Sequence, residues 1–482
     1  MPQRAPDATA GSERYSGLRM PERRGYGQRL LETRRETKLK SDIFLAGRTL
    51  NSSKYLSLKM AEQREPFTVA FIGGGIGGLF AALSVHHHCA ALGISINVYE
   101  QTSEYKEIGA GVGIGINAAQ LIHKLGLGEA ANKIAGDRNG VWLAFRRSDN
   151  GAEIVTVPVN DRDAVKQLPM LRSEFLDLLL DSIRGRNAAT LHTKKKCTRL
   201  VDIGDKVRLE FADSTSATAH LVIGADGIHS SVRSQFAFDN PRYSGKIVYR
   251  GLVSIEDLQP WWHLSTYAVS WIGKDKHLLV FPISDNKLLN VVAFVSVEES
   301  ELGDFQESWV AVGNKEEVVS SFQEFEPHAR RILELMPERP SKWVVNEREP
   351  LEQWIYLNGK VALLGDSAHA MSPHQGAGAG QAIEDGYILG RALQDYLKFQ
   401  SGDLGKWMRA YQTLRLPRAQ RAQRTSREAG EVYELQGEGL KGKTFDECMP
   451  ELRNRLKDRM NWVWLEDIDV MYEKIATEMR GQ

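Results

Sequence analysis

The segment Val361–Asp385, VALLGDSAHAMSPHQGAGAGQAIED, holds the residues whose types and spacing best suit chemistry. Its apolar start leads to Asp366, and Pro373 and His374 stand just before the glycine-rich turn Gly376–Gly380. A run that favours a helix follows. Amides at a helix N-terminus stabilise electron-rich or anionic groups. The order therefore predicts a strand, a loop that contacts a ligand, and a helix that begins at that ligand.

A second glycine-rich turn lies far earlier in the chain. After the apolar run Phe67–Ile72, the sequence GGGIGG fits GxGxxG at Gly73, Gly75 and Gly78. The first glycine permits a tight turn, the second lets backbone approach a pyrophosphate, and the third lets helix and strand pack closely. Glu100 ends the next apolar run, where a carboxylate can bond an adenosine ribose. One ligand bound by two such distant segments must be long, and FAD is the natural candidate.

A third strand-to-loop junction, GADGIHSSVR, stands between these two turns. Asp226 can order the loop by accepting hydrogen bonds from backbone amides. Arg233 can face a phosphate or a nicotinamide cofactor that binds transiently. Alone this is a common turn, but its place in the order makes it part of the same predicted ligand site.

Length and composition limit the classes of protein that are possible. The 482 residues exceed the usual size of one hydrophobic core, which predicts two or more domains. Equal numbers of basic and acidic residues, 62 each, argue against a nucleic-acid partner. The 3 cysteines form no CxxC pair and indicate neither a metal site nor a disulfide framework. No apolar run approaches the ~20 residues that a transmembrane segment needs.

The elements around the loops predict an α/β fold. Phe67–Ile72, the following helix and Ile94–Tyr99 form one βαβ unit of a Rossmann-like FAD-binding domain. Lys246–Val297 is rich in Val, Ile, Tyr, Trp and Phe with alternation, which predicts an antiparallel part of a mixed β-sheet substrate domain. We expect the following division: FAD-binding residues 66–240 and 346–400, a substrate-binding sheet of residues 241–345, and C-terminal helices in residues 401–482.

Residues 1–60 differ from the rest of the chain in charge. Residues 1–59 hold 13 Lys/Arg against 6 Asp/Glu and contain no secretory apolar segment. We interpret residues 1–60 as a basic disordered extension or an artefact of the gene model, with Met60 as an alternative start. Interspersed glutamates weaken a targeting interpretation. The expected location is cytoplasmic, with organelle targeting as the alternative.

The three loops resemble those of the group A flavoprotein monooxygenases, the para-hydroxybenzoate hydroxylase class, which show GxGxxG, DG and GD loops in this order. The closer resemblance is to the salicylate hydroxylase-like branch and spans roughly Phe67 to Tyr472. It rests on EIGAGVGIGINAAQ (Glu107–Gln120), LPMLRSEF (Leu168–Phe175), VYRG (Val248–Gly251), HAMSPHQGAGAGQAIED (His369–Asp385) and WVWLEDID (Trp462–Asp469).

The resemblance implies a bound FAD and a transient NAD(P)H. Arg172 would lie against the pyrophosphate or ribityl chain, and Asp366 would bond the ribityl hydroxyls. Gly378 and Ala379 would offer amides to the flavin pyrimidine edge and stabilise negative charge on the reduced ring. The remaining residues would let backbone pass close to the flavin or shape the loop at its reactive edge: Gly111, Gly113 and Pro373.

The resemblance also implies an aromatic hydroxylase. NAD(P)H would reduce FAD, O2 would form a C4a-hydroperoxide, and its distal oxygen would add to a phenol- or benzoate-type ring. His374 would act as a base toward the substrate phenol, or it would satisfy loop carbonyls. Arg250 would bind the substrate carboxylate or phenolate, or it would be a surface strand arginine. The expected partners are a small aromatic substrate and O2, and the oligomeric state is open.

Three alternatives remain at this point. One is epoxidation or oxidative dearomatisation of a polyketide-derived substrate in secondary metabolism. Another is a flavin halogenase, against which the missing WxWxIP segment argues, because Trp462-Val463-Trp464 continues without Ile-Pro. The third is a non-catalytic FAD-fold binding protein, and the intact loop that holds Asp366 and His374 argues against it.

Overall fold

The structure is a computed structural model that describes residues 65–105, 111–159, 165–302, 311–399 and 403–481. The predicted extension of residues 1–60 lies outside these residues. Both large sheets belong to one unit that begins at Pro66. The division of this unit into the predicted domains stays a prediction.

The strands are short, as expected for buried α/β sheets. In chain order they are β1 (Phe67–Ile72), β2 (Ile94–Tyr99), β3 (Gly111–Ile114), β4 (Val141–Arg147), β5 (Glu153–Pro158), β6 (Leu168–Leu171), β7 (Thr190–His192), β8 (Cys197–Asp202), β9 (Val207–Phe211), β10 (Ser216–Ala219), β11 (Leu221–Gly224), β12 (Arg242–Ser254), β13 (Val269–Gly273), β14 (Lys276–Ile283), β15 (Leu288–Ser296), β16 (Ala311–Val312), β17 (Ser341–Glu347), β18 (Ile355–Tyr356) and β19 (Val361–Leu363).

The helices are longest toward the C-terminal end of the chain. They are α1 (Ile76–Cys89), α2 (Ile116–Lys124), α3 (Gly128–Ile134), α4 (Arg172–Arg186), α5 (Ile255–Leu258), α6 (Lys315–Ser321), α7 (Pro327–Glu334), α8 (Asp366–His369), α9 (Gly378–Phe399), α10 (Leu404–Tyr433), α11 (Phe445–Lys457), α12 (Asn461–Leu465) and α13 (Ile468–Arg480). The C-terminal helices expected in residues 401–482 include α10, which accommodates Pro417 in its interior.

A six-stranded sheet brings the three predicted loops to one edge. Its strand order is β18-β19-β11-β1-β2-β7. β1 pairs in parallel with β2 and with β11, and β11 pairs in parallel with β19. The carboxyl ends of parallel strands share an edge, and ligands of open α/β sheets bind there. The turns that follow β1, β11 and β19 therefore lie together although they are distant in sequence.

Helices α1 and α9 start at this edge and pack in parallel at close range. A Cβ added to Gly386 would lie 2.9 Å from the Cα of Ala81, and one added to Gly390 would lie 2.6 Å from the Oγ of Ser84. Glycine permits this approach because it has no side chain. The N-termini of both helices consequently present first-turn amides without intrahelical partners on the same side of the sheet.

An eight-stranded mixed sheet forms the second layer, in the order β16-β17-β12-β15-β14-β13-β4-β5. β15 pairs antiparallel with β12 and β14, as the alternation predicted, whereas β13 pairs in parallel with β4. Strands β4 and β5 thus join a sheet formed otherwise by residues after 241. Two smaller sheets, β10-β9-β8 and β3-β6, complete the layers. The predicted α/β class with a mixed sheet and C-terminal helices is confirmed.

Within the described ranges, no helix has both the length and the apolar character that crossing a bilayer requires. The cytoplasmic location stays a prediction.

Candidate active site

A cavity of about 640 Å³ is lined by the three loops and by one face of the eight-stranded sheet. This volume falls within the range of small-molecule and cofactor sites. Gly78 and Arg233 lie outside the lining, whereas the other predicted site residues all line it: Gly73, Gly75, Glu100, Gly111, Gly113, Arg172, Asp226, Arg250, Asp366, Pro373, His374, Gly378 and Ala379.

The turn after β1 can be built only from glycine at two positions. Gly73 has a φ of +106°, and a Cβ there would lie 2.3 Å from the carbonyl oxygen of Ala225. A Cβ on Gly78 would lie 2.1 Å from the carbonyl oxygen of Gly73. Both distances are far below van der Waals contact. The first and third glycines of the pattern therefore let the β1 turn, the β11 loop and α1 meet.

Glu100 follows β2 and holds the glycine turn in place. Its Oε2 accepts a hydrogen bond from the amide of Gly74 at 2.8 Å, and its Oε1 accepts one from the amide of Thr102 at 2.9 Å. The carboxylate also lines the cavity. Its predicted bond to a ribose hydroxyl is untested.

Asp226 orders the loop after β11, as its sequence position predicted. Its Oδ2 accepts hydrogen bonds from the amide of Ser231 at 2.7 Å and the amide of Val232 at 3.2 Å. The hydroxyl of Ser230 donates to Oδ1. Burial raises the pKa of Asp226 in spite of these bonds. The loop conformation thus depends on this side chain.

Arg233 does not face the cavity, so the expectation that it meets a phosphate or a reductant is not met. Its side chain is fully buried, and its Nη2 donates to Asp239 at 2.6 Å. Its Nη1 donates to the carbonyl oxygens of Ser367 and Ala368 at 3.2 and 3.3 Å. Arg233 instead ties the β11 loop to the β19 loop.

Contacts with the buried carboxylate of Asp385 fix the loop after β19, and Asp366 of this loop lies at the cavity. The amide of Gly365 donates to Asp385 at 2.9 Å, and the Nε2 of His369 lies 2.6 Å from the same carboxylate oxygen. Asp366 itself is exposed and begins α8. His369 therefore packs within the loop, and Asp366 remains available to a ligand.

Helix α9 begins at Gly378, and its first residues line the cavity. The first amides of a helix have no intrahelical partner, and the helix dipole places positive potential there. Gly378 and Ala379 stand where such amides can contact an electron-rich ring edge. Pro373, two residues after Met371, lines the cavity beside them and is exposed.

Strand β3 brings backbone against the sheet face at Gly111 and Gly113. The amide of Gly111 donates to the Oδ1 of Asn290 at 3.1 Å, and a Cβ at Gly111 would lie 2.7 Å from the Cγ of that residue. β3 pairs with β6, which leads directly into Arg172 at the start of α4. The glycine strand and Arg172 are therefore positioned together.

Two arginines place positive charge on the sheet side of the cavity. Arg250 lies over the Trp343 ring at 4.5 Å, and Arg138 lies over the Phe281 ring at 4.9 Å. Burial, with the neighbouring charge of Arg172, lowers the pKa of Arg250 to about 9. Burial lowers the pKa of Arg138 to about 10. Both side chains stay protonated at neutral pH, and Arg250 is not a surface arginine.

His374 is buried, with 4% of its surface exposed, and lines the cavity. Its ring lies 5.0 Å from the Phe294 ring and 5.3 Å from the His277 ring. Neither ring nitrogen has a hydrogen-bond partner among the described residues, so it does not satisfy loop carbonyls. Burial lowers the pKa of His374 well below its ordinary value. The ring is therefore neutral and able to accept a proton.

Buried polar atoms without partners gather in this cavity. Leaving such atoms unpaired is costly, so their concentration marks a place where a polar ligand completes the hydrogen bonding. The lining atoms of this kind among the described residues are Arg138 Nε, Gln167 Nε2, Arg250 Nε, Asn290 Nδ2, Ser372 Oγ and both ring nitrogens of His374. Together with the glycine turns and Glu100, these residues fit FAD and a polar aromatic molecule.

Comparison with known proteins agrees with this geometry. The family described as FAD binding domain matches residues 67–426. Salicylate hydroxylase of Pseudomonas putida is 35% identical over 421 residues, which cover 83% of this chain and 93% of that protein. The 3-hydroxybenzoate 6-hydroxylase of Polaromonas naphthalenivorans is 32% identical, with 84% and 97% covered. A solved salicylate hydroxylase substrate complex superposes with a TM-score of 0.73 at 29% identity, covering 86% of this chain and 98% of that chain.

The chain belongs to the group A flavin monooxygenases. It is an FAD-dependent enzyme, and its salicylate hydroxylase-like resemblance is confirmed. Membership argues against the non-catalytic alternative.

Several cavity residues of the monooxygenase were missed from the sequence. Arg138, Asn290 and Phe281 line the cavity, and so do the C-terminal Met460 and Trp464. The segment around Trp464 was noticed only as a resemblance. Arg138 belongs to no motif, and only its position just before a strand of the large sheet could have drawn attention to it.

Among the described residues, no group of three or more His, Cys, Asp and Glu side chains is arranged to hold a metal ion.

Proposed function

We propose that this monooxygenase hydroxylates a small aromatic ring that carries both a phenol and an acidic group. The observation that carries the proposal is that His374 and Arg250 line the same cavity as the three FAD loops. A proton acceptor and a cation are thereby placed beside the cofactor. The named hydroxylases of salicylate and 3-hydroxybenzoate among the relatives support this substrate class.

On the cofactor side, the chain binds and orients the flavin. Glu100 would hold the adenosine end of FAD, Arg172 would balance the negative pyrophosphate, and Asp366 would bond the ribityl hydroxyls. The amides of Gly378 and Ala379 would favour negative charge on the pyrimidine ring. When bound, FAD supplies redox chemistry in which NAD(P)H gives two electrons, one oxygen atom of O2 enters the substrate, and the other oxygen atom leaves as water.

On the substrate side, Arg250 and Arg138 bind the acidic group. The planar guanidinium of arginine suits a carboxylate, and a buried arginine keeps its charge. A ring nitrogen of His374 takes the phenol proton, which makes the ring more electron-rich. Apolar side chains of the sheet face exclude water around the reacting ring: Leu279, Phe281, Val292, Phe294 and Trp343.

A turnover screen tests this proposal. Purified enzyme loaded with FAD is given matched pairs of compounds, salicylate against phenol and 3-hydroxybenzoate against resorcinol, and larger biosynthetic phenols. Consumption of NADH and NADPH, O2 uptake and product mass are measured. We expect carboxylated phenols to stimulate reductant consumption and to gain oxygen, with or without loss of the carboxyl group.

Turnover of neutral phenols in preference to their carboxylated partners would contradict the role of the arginines. A product with an epoxide or a dearomatised ring, formed only from a larger phenol, would favour the secondary-metabolism alternative instead.

A further inference from the structure

A buried chain of titratable groups lies behind His374, beyond the end of the cavity. Alternate residues of a strand face the same side, so His277 continues the β14 face that carries Leu279 and Phe281. His277 pairs directly with Phe294 of β15, and their rings stack at 4.2 Å. The sheet face that lines the cavity thus extends to a second buried histidine.

Glu434, just after α10, is the last of these buried titratable groups. Its Oε1 lies 3.0 Å from the Nδ1 of His277, while its Oε2 contacts Lys246 of β12 and the hydroxyl of Ser296 of β15. The side chain of Glu434 is completely buried. Burial favours the protonated form of Glu434, but the hydrogen bond from His277 and the neighbouring charges outweigh it, and the pKa falls below its ordinary value.

The bond between Glu434 and His277 determines which nitrogen of His277 carries hydrogen. An ionised carboxylate only accepts hydrogen bonds, so the Nδ1 of His277 must donate. A buried carboxylate that bonds one imidazole nitrogen stabilises positive charge on that imidazole and near it.

We propose that Glu434, held in place by its bond to His277, stabilises the positive charge that His374 acquires when it removes the proton from the substrate phenol. In this step the phenol O–H bond breaks, an N–H bond forms on His374, and the phenolate keeps the electron pair. Glu434 and His277 are positioning residues, because neither touches the cavity. The inference rests on the proposed role of His374 as the base.

The charges that face His374 explain why the carboxylate matters. They come from His277 on β14, Lys246 on β12, Glu434 after α10 and Arg459 after α11. Of these four groups, Glu434 is the one that favours a protonated His374, whereas the other three oppose it. Loss of the carboxylate would therefore leave His374 among groups that all disfavour its charged form.

The test is the pH profile of coupled hydroxylation in Glu434→Gln. The amide keeps the shape of the side chain but carries no charge. We expect the acid limb of kcat/KM to move to lower pH by about one unit and the plateau to fall roughly tenfold, as for a weaker base. Ser296→Ala, which removes a hydroxyl from the same carboxylate and leaves its charge, should keep the wild-type limb. An unshifted limb in Glu434→Gln would overturn the inference.

A double-mutant cycle separates positioning from general stability. Because Glu434 acts through His374, Glu434→Gln should not lower hydroxylation further in a His374→Ala background. An equal loss in both backgrounds would mean a structural role and would overturn the inference. If Glu434→Gln does not fold, as judged by melting temperature and flavin absorbance, Lys246→Met replaces it. This variant removes a charge that opposes a protonated His374, so the acid limb should move to higher pH, and an unshifted limb would overturn the inference.

The two proposals fail in different ways. Normal hydroxylation by His374→Ala would show that His374 is not the base, and its proposed role would be rejected. A defective His374→Ala together with a wild-type pH profile in Glu434→Gln, or in Lys246→Met where that variant replaces it, would leave the base in place and reject the role of Glu434 alone.

Discussion

The cofactor side of the cavity is formed mainly by backbone, and the substrate side is formed mainly by side chains. Around the six-stranded sheet, backbone turns make the surface, and residues such as Gly73 and Gly78 serve because they have no side chain. On the substrate side, side chains make the surface. Arg250 and Phe294 of the eight-stranded sheet and His374 of the loop after β19 serve through charge, shape and proton affinity. A backbone site tolerates almost no change, whereas a side-chain site can be retuned one residue at a time.

The largest effect is expected on the backbone side, for Gly73→Ala. A Cβ would lie 2.3 Å from the carbonyl oxygen of Ala225, at a φ of +106°. Strain of about 3 kcal/mol, roughly a hundredfold in affinity, should abolish retention of FAD, measured by flavin absorbance after gel filtration. Gly185→Ala is the control, because no atom lies within 4 Å of its added Cβ. Retention of flavin by Gly73→Ala would show that the turn can relax.

On the side-chain side, His374→Ala should leave FAD bound but lower coupled hydroxylation by roughly 10²–10⁴, as for loss of a general base. Hydrogen peroxide should account for more of the NAD(P)H consumed, and both products are quantified in one assay. His328→Ala, a histidine outside the cavity lining, should behave as wild type. If NAD(P)H consumption stayed fully coupled to hydroxylation in His374→Ala, this residue would be rejected as the base.

Arg250 and Arg233 provide a direct comparison, because Arg250 is half-buried at the cavity and Arg233 is fully buried outside its lining. Arg250→Gln should raise the KM for a carboxylated phenol roughly ten- to hundredfold, since it loses a charged hydrogen bond of about 1.5–3 kcal/mol. Arg233→Gln should instead lower the free energy of unfolding by about 1.5–3 kcal/mol, because it removes a buried charged donor, while Asp239 still pairs with Arg348. Denaturant unfolding and steady-state kinetics of both variants decide between these roles. A loss of stability in Arg250→Gln together with a raised KM in Arg233→Gln would instead assign the structural role to Arg250 and the substrate-binding role to Arg233.

The smallest expected effect is on stability against pH. Burial lowers the pKa of both His277 and His374, so the folded protein binds fewer protons than the unfolded chain below about pH 6.5. The free energy of unfolding should therefore fall as the pH drops below 6.5, by at most about 1.4 kcal/mol per histidine for the first pH unit. Melting temperatures from pH 7.5 to 5.5 measure this, and the slope should be shallower in His277→Gln. If the melting temperature of His277→Gln falls with pH as steeply as that of the wild type, other groups cause the pH dependence.

The same comparison explains what the sequence could predict. The turns at Gly73 and Gly78, the acid at Glu100 and the loop at Asp366 were found because local backbone geometry dictates their residue types. Their spacing along strands and helices is a local property, and so is the period of the helices and strands around them.

Residues whose role depends on how distant strands pair were missed or misjudged. Arg138 and Glu434 follow no local pattern and acquire their surroundings only when β14 and β15 pair. Arg233 looked available because nothing in the sequence shows that the chain folds back to place Asp239 against its guanidinium. Strands β4 and β5 likewise join a sheet whose other strands come much later in the chain.

The walls of the cavity come from segments that are far apart in the chain, and this determines when the flavin can bind during synthesis. The walls include Gly73 near the start of the described residues and Trp464 near their end. A ribosome must therefore release almost the whole chain before the flavin can find a complete site. Contacts this distant in sequence form late and slowly. FAD that binds only the finished fold adds to its stability by mass action, so the flavin supply of the cell should set how much newly synthesised enzyme survives.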